Sequence, residues 1–400
     1  MRSQVKEDGV LEVFLEGRID STNVNAFDTE VNALTQETNA KGIAFDCTDL
    51  EYVSSAGLRV FMRLRKRFGS LRVDNVSPDV YDIFEVTGFS SLLDVRKALR
   101  EVDVSGLELL GGGATGNVYR LTDDQMIKVY RPGVTLDDVE VERKVSRQAF
   151  LLGIPSAIAF DTVRCGESYG TIYELLNAQT LSERITADPA TLDECAMQSA
   201  KTYKEMHAVE VGKDVMPDAT RTYYANLDRI ASYFTDDENE RLRSLLDAVP
   251  VRDRFTHNDY HPRNIMYSDG ELMIIDLGEA GSGNPLLDWM HTYGVINLIS
   301  VGMSERADDE MSFVGITYAH LHRYWKVFTE TYFGSPERAK RMETLLEPWA
   351  WFVYLASCIW HPFVPEEYRL LYAQWMREKV LARADEMVAS LEEMEGLMAQ

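Results

Sequence analysis

At 400 residues the chain exceeds what a single core usually holds, so roughly two or three cooperative units are expected. An apolar content of 45% with 10% aromatics supports packed cores and excludes a disordered chain. The 41 Lys+Arg against 65 Asp+Glu leave a net charge of −24, which repels phosphate backbones and anionic lipid and argues against nucleic-acid and membrane partners.

The N-terminal stretch MRSQVKEDGV has no apolar core, so no signal peptide is expected there. The pattern of residues 1 to 103 is short strands alternating with helical spacing. Val10 to Ile19 alternates apolar and polar positions, Ala26 to Leu34 has helical spacing, and Gly42 to Cys47 is a short apolar strand. Ser55-Ala56-Gly57 then starts a helix with an apolar face of Leu58, Phe61, Met62, Leu64 and Phe68. Arg63, Arg65, Lys66 and Arg67 lie mostly outside that face and read as a solvated basic side.

This part resembles the STAS domain of anti-sigma-factor antagonists. The resemblance rests on Leu15-Glu16-Gly17-Arg18-Ile19-Asp20, on Phe45-Asp46-Cys47-Thr48-Asp49-Leu50, and on Tyr52 through Arg59. It implies an α/β domain with a regulatory or partner-binding role. In that family the residue before the Gly-Leu pair is often a Ser or Thr that a partner kinase phosphorylates; here it is Ala56. Ser54 and Ser55 are alternative acceptors, and as residues at a helix start they also serve as caps.

Charge divides unevenly. Residues 1 to 103 hold 13 Lys+Arg and 18 Asp+Glu, a net of −5, and residues 104 to 400 hold 28 and 47, a net of −19. An acidic cleft would favour a cationic substrate, whereas acidity spread for solubility gives the same count, and both readings stay open.

From Leu107 the pattern becomes strand, glycine turn, strand. Gly111-Gly112-Gly113-Ala114-Thr115-Gly116-Asn117-Val118 fits a hairpin whose glycines let amides approach phosphate oxygens without Cβ atoms in the way. Such a hairpin is by itself often only a turn. Lys128 within Met126-Ile127-Lys128-Val129-Tyr130 adds weight, because an ammonium buried among apolar residues needs an anion to meet it. Helical spacing follows from Asp137 to Leu152, where Glu140 and Glu142 face different sides, so only one can point at Lys128. Strand-like runs Ala157 to Val163 and Tyr169 to Leu176 complete a small β-rich lobe, and beyond Thr180 helical patterns dominate.

Phe255-Thr256-His257-Asn258-Asp259-Tyr260-His261-Pro262-Arg263-Asn264, followed by Ile274-Ile275-Asp276-Leu277-Gly278, has the logic of phosphoryl transfer. A carboxylate, Asp259, orients the attacking hydroxyl, while the hard oxygen donors of Asn264 and Asp276 suit Mg²⁺. His257 and His261 lack partners at zinc spacing; His257 reads as bracing the loop and His261-Pro262 as shaping its turn. From Asp276 the chain reaches Asp288 and a helix directly, with no peptide-binding platform, which favours a small substrate.

Residues 107 to about 300 resemble the aminoglycoside phosphotransferase and choline kinase family. The matching residues are the Gly111 to Gly116 loop, Lys128, the helix carrying Glu142, Ile154-Pro155, His257 to Asn264, Ile275 to Gly278, and Asp288. The resemblance implies a protein-kinase-like two-lobed fold. It further implies ATP held by Gly111, Gly113, Gly116, Lys128 paired to Glu142, and hinge backbone of Glu174 and Leu176, with Asp288 supporting the loop. Asn258 stands where that family usually has Gly, and the tail from about 305 carries no set matching an antibiotic-binding surface. The aromatic run Trp349 to Tyr354 with Trp360 could box a quaternary ammonium, but the favoured reading is a core helix ending before His361-Pro362.

The expectation is therefore an α/β STAS-like domain (1–103) followed by an α+β protein-kinase-like domain (104–400) with a β-rich N-lobe (104–176) and a helical C-lobe (177–400). Its function would be ATP- and Mg²⁺-dependent phosphorylation of a small-molecule hydroxyl. A protein kinase acting on a STAS partner and a nucleotide-sensing binding module are the alternatives. Cys47, Cys165, Cys195 and Cys358 form no C-x-x-C pair, so a reduced, cytoplasmic, soluble protein is expected.

Overall fold

A computed structural model describes residues 1–6, 8–113, 115–268, 270–299, 310–361 and 364–398. Ala114, Pro362 and the start of the tail at 305–309 lie outside the described residues. The chain forms two compact units, Met1–Val102 and Asp103–Gln400.

The first unit is a five-stranded sheet in the order β1 (Ser3–Val5), β2 (Val10–Ile19), β3 (Gly42–Val53), β4 (Arg72–Val76) and β5 (Asp94–Lys97). β1 runs antiparallel to β2 and the other pairs are parallel. Parallel neighbours need crossovers, supplied by α1 (Val24–Glu37), α2 (Ser55–Phe68) and α3 (Pro78–Val86). Phe27, Phe45, Phe61 and Phe84 stack in the core, with Phe45 and Phe61 centroids 4.7 Å apart. α2 lies close to the sheet at Gly57, where a Cβ would come within 2.8 Å of both Ile19 and Val53 side chains. The Ser54 hydroxyl accepts from Gly57 N at 3.4 Å and caps the helix, while Ser55 is exposed. The basic side of α2 leans on α1: Arg63 pairs with Asp28 at 2.6 Å and Arg67 donates to Asn32 and Thr35.

The short strand β6 is Arg100–Glu101. In the second unit β7 (Leu109–Gly112), β8 (Gly116–Arg120), β9 (Gln125–Tyr130), β10 (Ala159–Cys165) and β11 (Ser168–Glu174) form an antiparallel sheet in the order β10-β11-β9-β8-β7. α4 (Leu136–Leu151) opens on a capping box between Thr135 and Asp138 and buries Val139, Val145 and Ala149. Its bounds and those of β10 and β11 differ from the sequence expectation by one or two residues, the usual fraying at element ends.

The larger part is helical, with α5 (Leu181–Ala187), α6 (Leu192–Ala208), α7 (Arg221–Ile230), α8 (Asp236–Ala248) and α9 (Pro285–Tyr293). Four more helices follow among the described residues: Tyr318–Phe333, Pro336–Trp360, Glu366–Lys379 and Ala384–Met398. Between α8 and α9 run β13 (Arg254–Thr256), β14 (Ile265–Ser268), β15 (Glu271–Ile274) and β16 (Gly281–Gly283), with β12 (Gln179–Thr180) joining β14. The aromatic run is a core helix, not an open box: Trp349, Trp351, Phe352 and Val353 are buried, and the nearby ring-face cations are the protein's own, Lys379 over Trp351 and Arg229 over Trp360. All four cysteines are free, and no described helix is long and apolar enough to cross a membrane.

Candidate active site

The loop between β13 and β14 is anchored from below by aromatic packing. Tyr260 is fully buried, stacks on Tyr203 of α6 at 4.3 Å, and donates its hydroxyl to Ser199 O at 2.8 Å. An aromatic neighbour locked into the core leaves the adjacent Asp259 little freedom. Asp288 of α9, fully buried, holds the loop backbone by accepting from His257 N at 2.6 Å and Asn258 N at 2.9 Å. Burial works against its charge, and the His207 hydrogen bond and the loop amides more than offset this, so its carboxyl lies below the ordinary range.

His207 on α6 was not singled out from the sequence. Its Nε2 donates to the Asp288 carboxylate at Oδ2, 3.3 Å away, and its Nδ1 hydrogen-bonds with Tyr332 OH at 2.8 Å. Its only local signal is a position on the buried face of α6; its partners lie 81 and 125 residues away in the chain.

His257 braces the loop through both ring nitrogens. Nε2 donates to Ile275 O at 3.2 Å and Nδ1 accepts from Asp259 N at 3.1 Å, which selects the neutral tautomer. Burial is the first cause that moves its pKa below the ordinary value. His261 does more than shape a turn: its Nε2 lies 3.4 Å from Asp259 Oδ1. Burial pushes the Asp259 carboxyl up, but His261, with His291 and His257 behind it, draws it down to about 2. Asn264 donates from Nδ2 to Asp259 Oδ2 at 2.9 Å and to Asp259 O at 3.0 Å, leaving its own Oδ1 as an acceptor.

Asp276 follows β15 with φ +59, a left-handed conformation that turns the chain sharply, and Ile275 N donates to Asn264 O at 3.0 Å. Asp276 and Asn264 therefore sit on adjoining backbone. Lys128 Nζ reaches Glu142 Oε1 at 2.8 Å and Asp276 Oδ1 at 3.1 Å. Burial opposes the Lys128 charge, but Asp276 and Glu142 hold it and raise its pKa. Glu140 points elsewhere, to Arg143 at 2.8 Å. Tyr173 OH also donates to Glu142 Oε1, at 3.3 Å. Asp276 is the open member of the group, with 44% of its side chain exposed against 12% for Lys128.

The glycines of the hairpin have different reasons. A Cβ on Gly116 would meet Val129 O at 2.3 Å, so packing of β8 on β9 requires glycine there. Gly111 and Gly113 face open space, so nothing in the packing demands them. At the end of β11, Glu174 N is already donated to Ile158 O at 2.9 Å, while Leu176 follows just beyond the strand.

Asp259, Asp276, Glu142, Asn264 and the buried Lys128 ammonium thus come together from the β-rich and helical parts of one unit, and the hairpin paired to the Lys128 strand carries glycines that packing does not explain. Residues 106–311 match the phosphotransferase enzyme family and residues 3–102 match the STAS domain. The chain belongs to the phosphotransferase enzyme family and carries an N-terminal STAS domain. Within the STAS part it is 34% identical over 97 residues to BtrV of Bordetella bronchiseptica, named as an anti-sigma factor antagonist, covering 23% of this chain and 83% of that one. Among solved structures it is similar to aminoglycoside phosphotransferase APH(2'')-Ib in its ADP-bound form, at 13% identity and a TM-score of 0.45 over 70% of this chain and 94% of that one. It is also similar to a choline/ethanolamine kinase family protein from Mesorhizobium loti, at 16% identity and a TM-score of 0.44 over 74% and 92%. The family assignment rests on the sequence match.

Proposed function

We propose that the second unit is an ATP- and Mg²⁺-dependent kinase that phosphorylates a hydroxyl of a small molecule, with the STAS domain regulating it or binding a protein partner. The observation that carries this reading is the joining of Asp259, Asn264, Asp276 and Lys128 through contacts of 2.9 to 3.1 Å. The donor set fits the groups implied: Asn264 Oδ1 and the exposed Asp276 carboxylate are hard oxygen ligands suited to magnesium, and Lys128 is an oriented cation suited to phosphate. Gly111, Gly113 and Gly116 would let backbone approach the phosphates, and Leu176 with the Glu174 carbonyl would meet the adenine. Bound Mg-ATP would supply the phosphoryl group and offset its charge.

Asp259 does the orienting. Asn264 engages Oδ2 and His261 approaches Oδ1, and the carboxylate keeps further acceptor sites with which to take the acceptor hydroxyl's hydrogen bond and then its proton. A carboxyl held near 2 is ionised throughout the neutral range, so Asp259 is ready to accept at any working pH. Its low basicity makes it an orienting group first, in keeping with transfer that depends on positioning.

Smallness of the acceptor is supported by the short path from Asp276, through β16 paired to β13, into α9. Self-phosphorylation at Ser54 is disfavoured by that hydroxyl's service as the α2 cap. The acidity of residues 104 to 400 supports a cationic acceptor. The test is turnover of Mg-ATP against alcohols, amino sugars and aminoglycosides. Asp259→Ala should abolish transfer while ATP still binds; turnover at the wild-type rate in that variant would overturn the assignment. Phosphate incorporated into the chain itself, with no small acceptor consumed, would favour a protein kinase instead.

A further inference from the structure

The segment after Asp276 is short and largely irregular, yet it must keep Asp276 at a set distance from Asp259. Asp288 already holds the loop backbone at His257 and Asn258, so the fold of that loop does not need the Asn258 side chain. Asn258 is nevertheless 6% exposed and fully engaged. Its Nδ2 donates to Glu279 O at 3.0 Å and to Thr256 Oγ1 at 3.1 Å, and its Oδ1 accepts from Tyr223 OH at 3.3 Å.

Tyr223 ends a seven-residue stretch that lies along 278–282 throughout. Ser282 N donates to Pro217 O at 2.8 Å and Ala219 N to Ser282 O at 2.9 Å. A Cβ on Gly281 would sit 2.5 Å from Pro217 O, so this approach requires glycine. Arg221 donates from Nη2 to Gly278 O at 3.1 Å and from Nη1 to Ala280 O at 3.5 Å and Asp218 O at 3.2 Å, and Thr222 Oγ1 donates to Glu279 Oε2 at 2.6 Å.

We infer that Pro217–Tyr223 is a clasp that holds the Asp276 segment in place, and that Asn258 is the positioning residue that ties this segment to the Asp259 loop. The inference rests on reading Asp259 as the carboxylate that orients the acceptor and Asp276 as a magnesium ligand. The clasp does for this short segment what a longer one would do by packing on itself: hydrogen bonds, part-buried at Arg221 and Asn258, stand in for missing secondary structure. Asn258 lies at φ +62, which glycine adopts without strain. Asn258→Gly therefore removes the tether and leaves the backbone conformation available.

In the full chain, Asn258→Gly should raise amide hydrogen exchange at Gly278–Ala280 by about tenfold while α6 exchanges as in the wild type. Hydrolysis of Mg-ATP with water as acceptor should lose about tenfold to a hundredfold in kcat at an unchanged KM for ATP. Arg221→Met should do the same from the other side, and the double variant should lose less than the two single losses combined. Wild-type exchange at 278–280 in both variants, or raised exchange with wild-type kcat, overturns the inference. Exchange raised equally through the whole unit also overturns it, since Asn258 would then be a stability residue only. If the wild type transfers phosphate neither to water nor to any alcohol, amino sugar or aminoglycoside, but Asn258→Gly still loosens 278–280 alone, the tether stands and the kinase reading fails.

Discussion

Asn264 donates to the Asp259 carboxylate at 2.9 Å, and this one contact sets the orientation of both side chains. The amide nitrogen faces Asp259, which leaves the amide oxygen as the group that would meet the proposed magnesium. Asn264→Ala should raise the Mg²⁺ concentration for half-maximal rate and cut kcat about a hundredfold, because a misplaced group costs that much in a reaction run by positioning. Asn264→Asp should instead bind Mn²⁺ or Mg²⁺ more tightly and still lose turnover, because its carboxylate repels Asp259. Titrating the metal against rate distinguishes the two; identical profiles would show that Asn264 has no part in metal binding.

Lys128 is shared by Glu142 and Asp276, and removing it leaves two carboxylates facing each other. Lys128→Met should lower kcat/KM for ATP by about a hundredfold and destabilise the second unit by about 3 kcal/mol, the low end for breaking a buried ion pair. Glu142→Gln should be milder in stability, since Lys128 keeps Asp276. Urea unfolding of both variants checks the order, and a Lys128→Met protein as stable as the wild type would contradict it.

Burial lowers the pKa of His257, so the folded state binds fewer protons there than the unfolded chain. The sign follows: its contribution is fully present above the unfolded value of about 6.5 and erodes as pH falls below it, by up to about 1.4 kcal/mol per pH unit. His257→Gln should flatten the fall in stability between pH 7.5 and pH 5.5 that the wild type shows in urea titrations (pH values about one unit either side of the reference). An unchanged slope would place the titration elsewhere.

The hairpin glycines should separate by mechanism. Gly116→Ala drives a methyl into Val129 O and should cost about 1–3 kcal/mol of stability, as overpacking does. Gly113→Ala meets nothing and should leave thermal stability unchanged while raising KM for ATP. Equal behaviour of the two variants would remove the distinction between a packing glycine and a ligand-facing one.

Much of the fold was legible because local patterns carry it. Alternation located β2, helical spacing located α1, α2 and α4, and the glycine turn between β7 and β8 was visible in composition alone. The ends were less so: β3 runs on to Val53, past the apolar stretch that ends at Cys47, because pairing with β2 and not side-chain pattern sustains it. His261 read as a turn residue, since nothing in the order of residues says that its ring swings back on Asp259.

By itself the sequence determined the two classes of domain, the acidity, and which residue types stand at spacings suited to phosphoryl transfer. Those features depend on neighbours in the chain, where period and spacing act directly. Helical spacing left Glu140 and Glu142 open and only the family resemblance pointed to Glu142; tertiary structure alone decided that His207 and Tyr332 stand behind Asp288, and that Arg221, Thr222 and Tyr223 clasp the segment after Asp276. Each of those contacts joins residues distant in the chain, and their partners are chosen by which buried donors and acceptors the packed helices bring within reach.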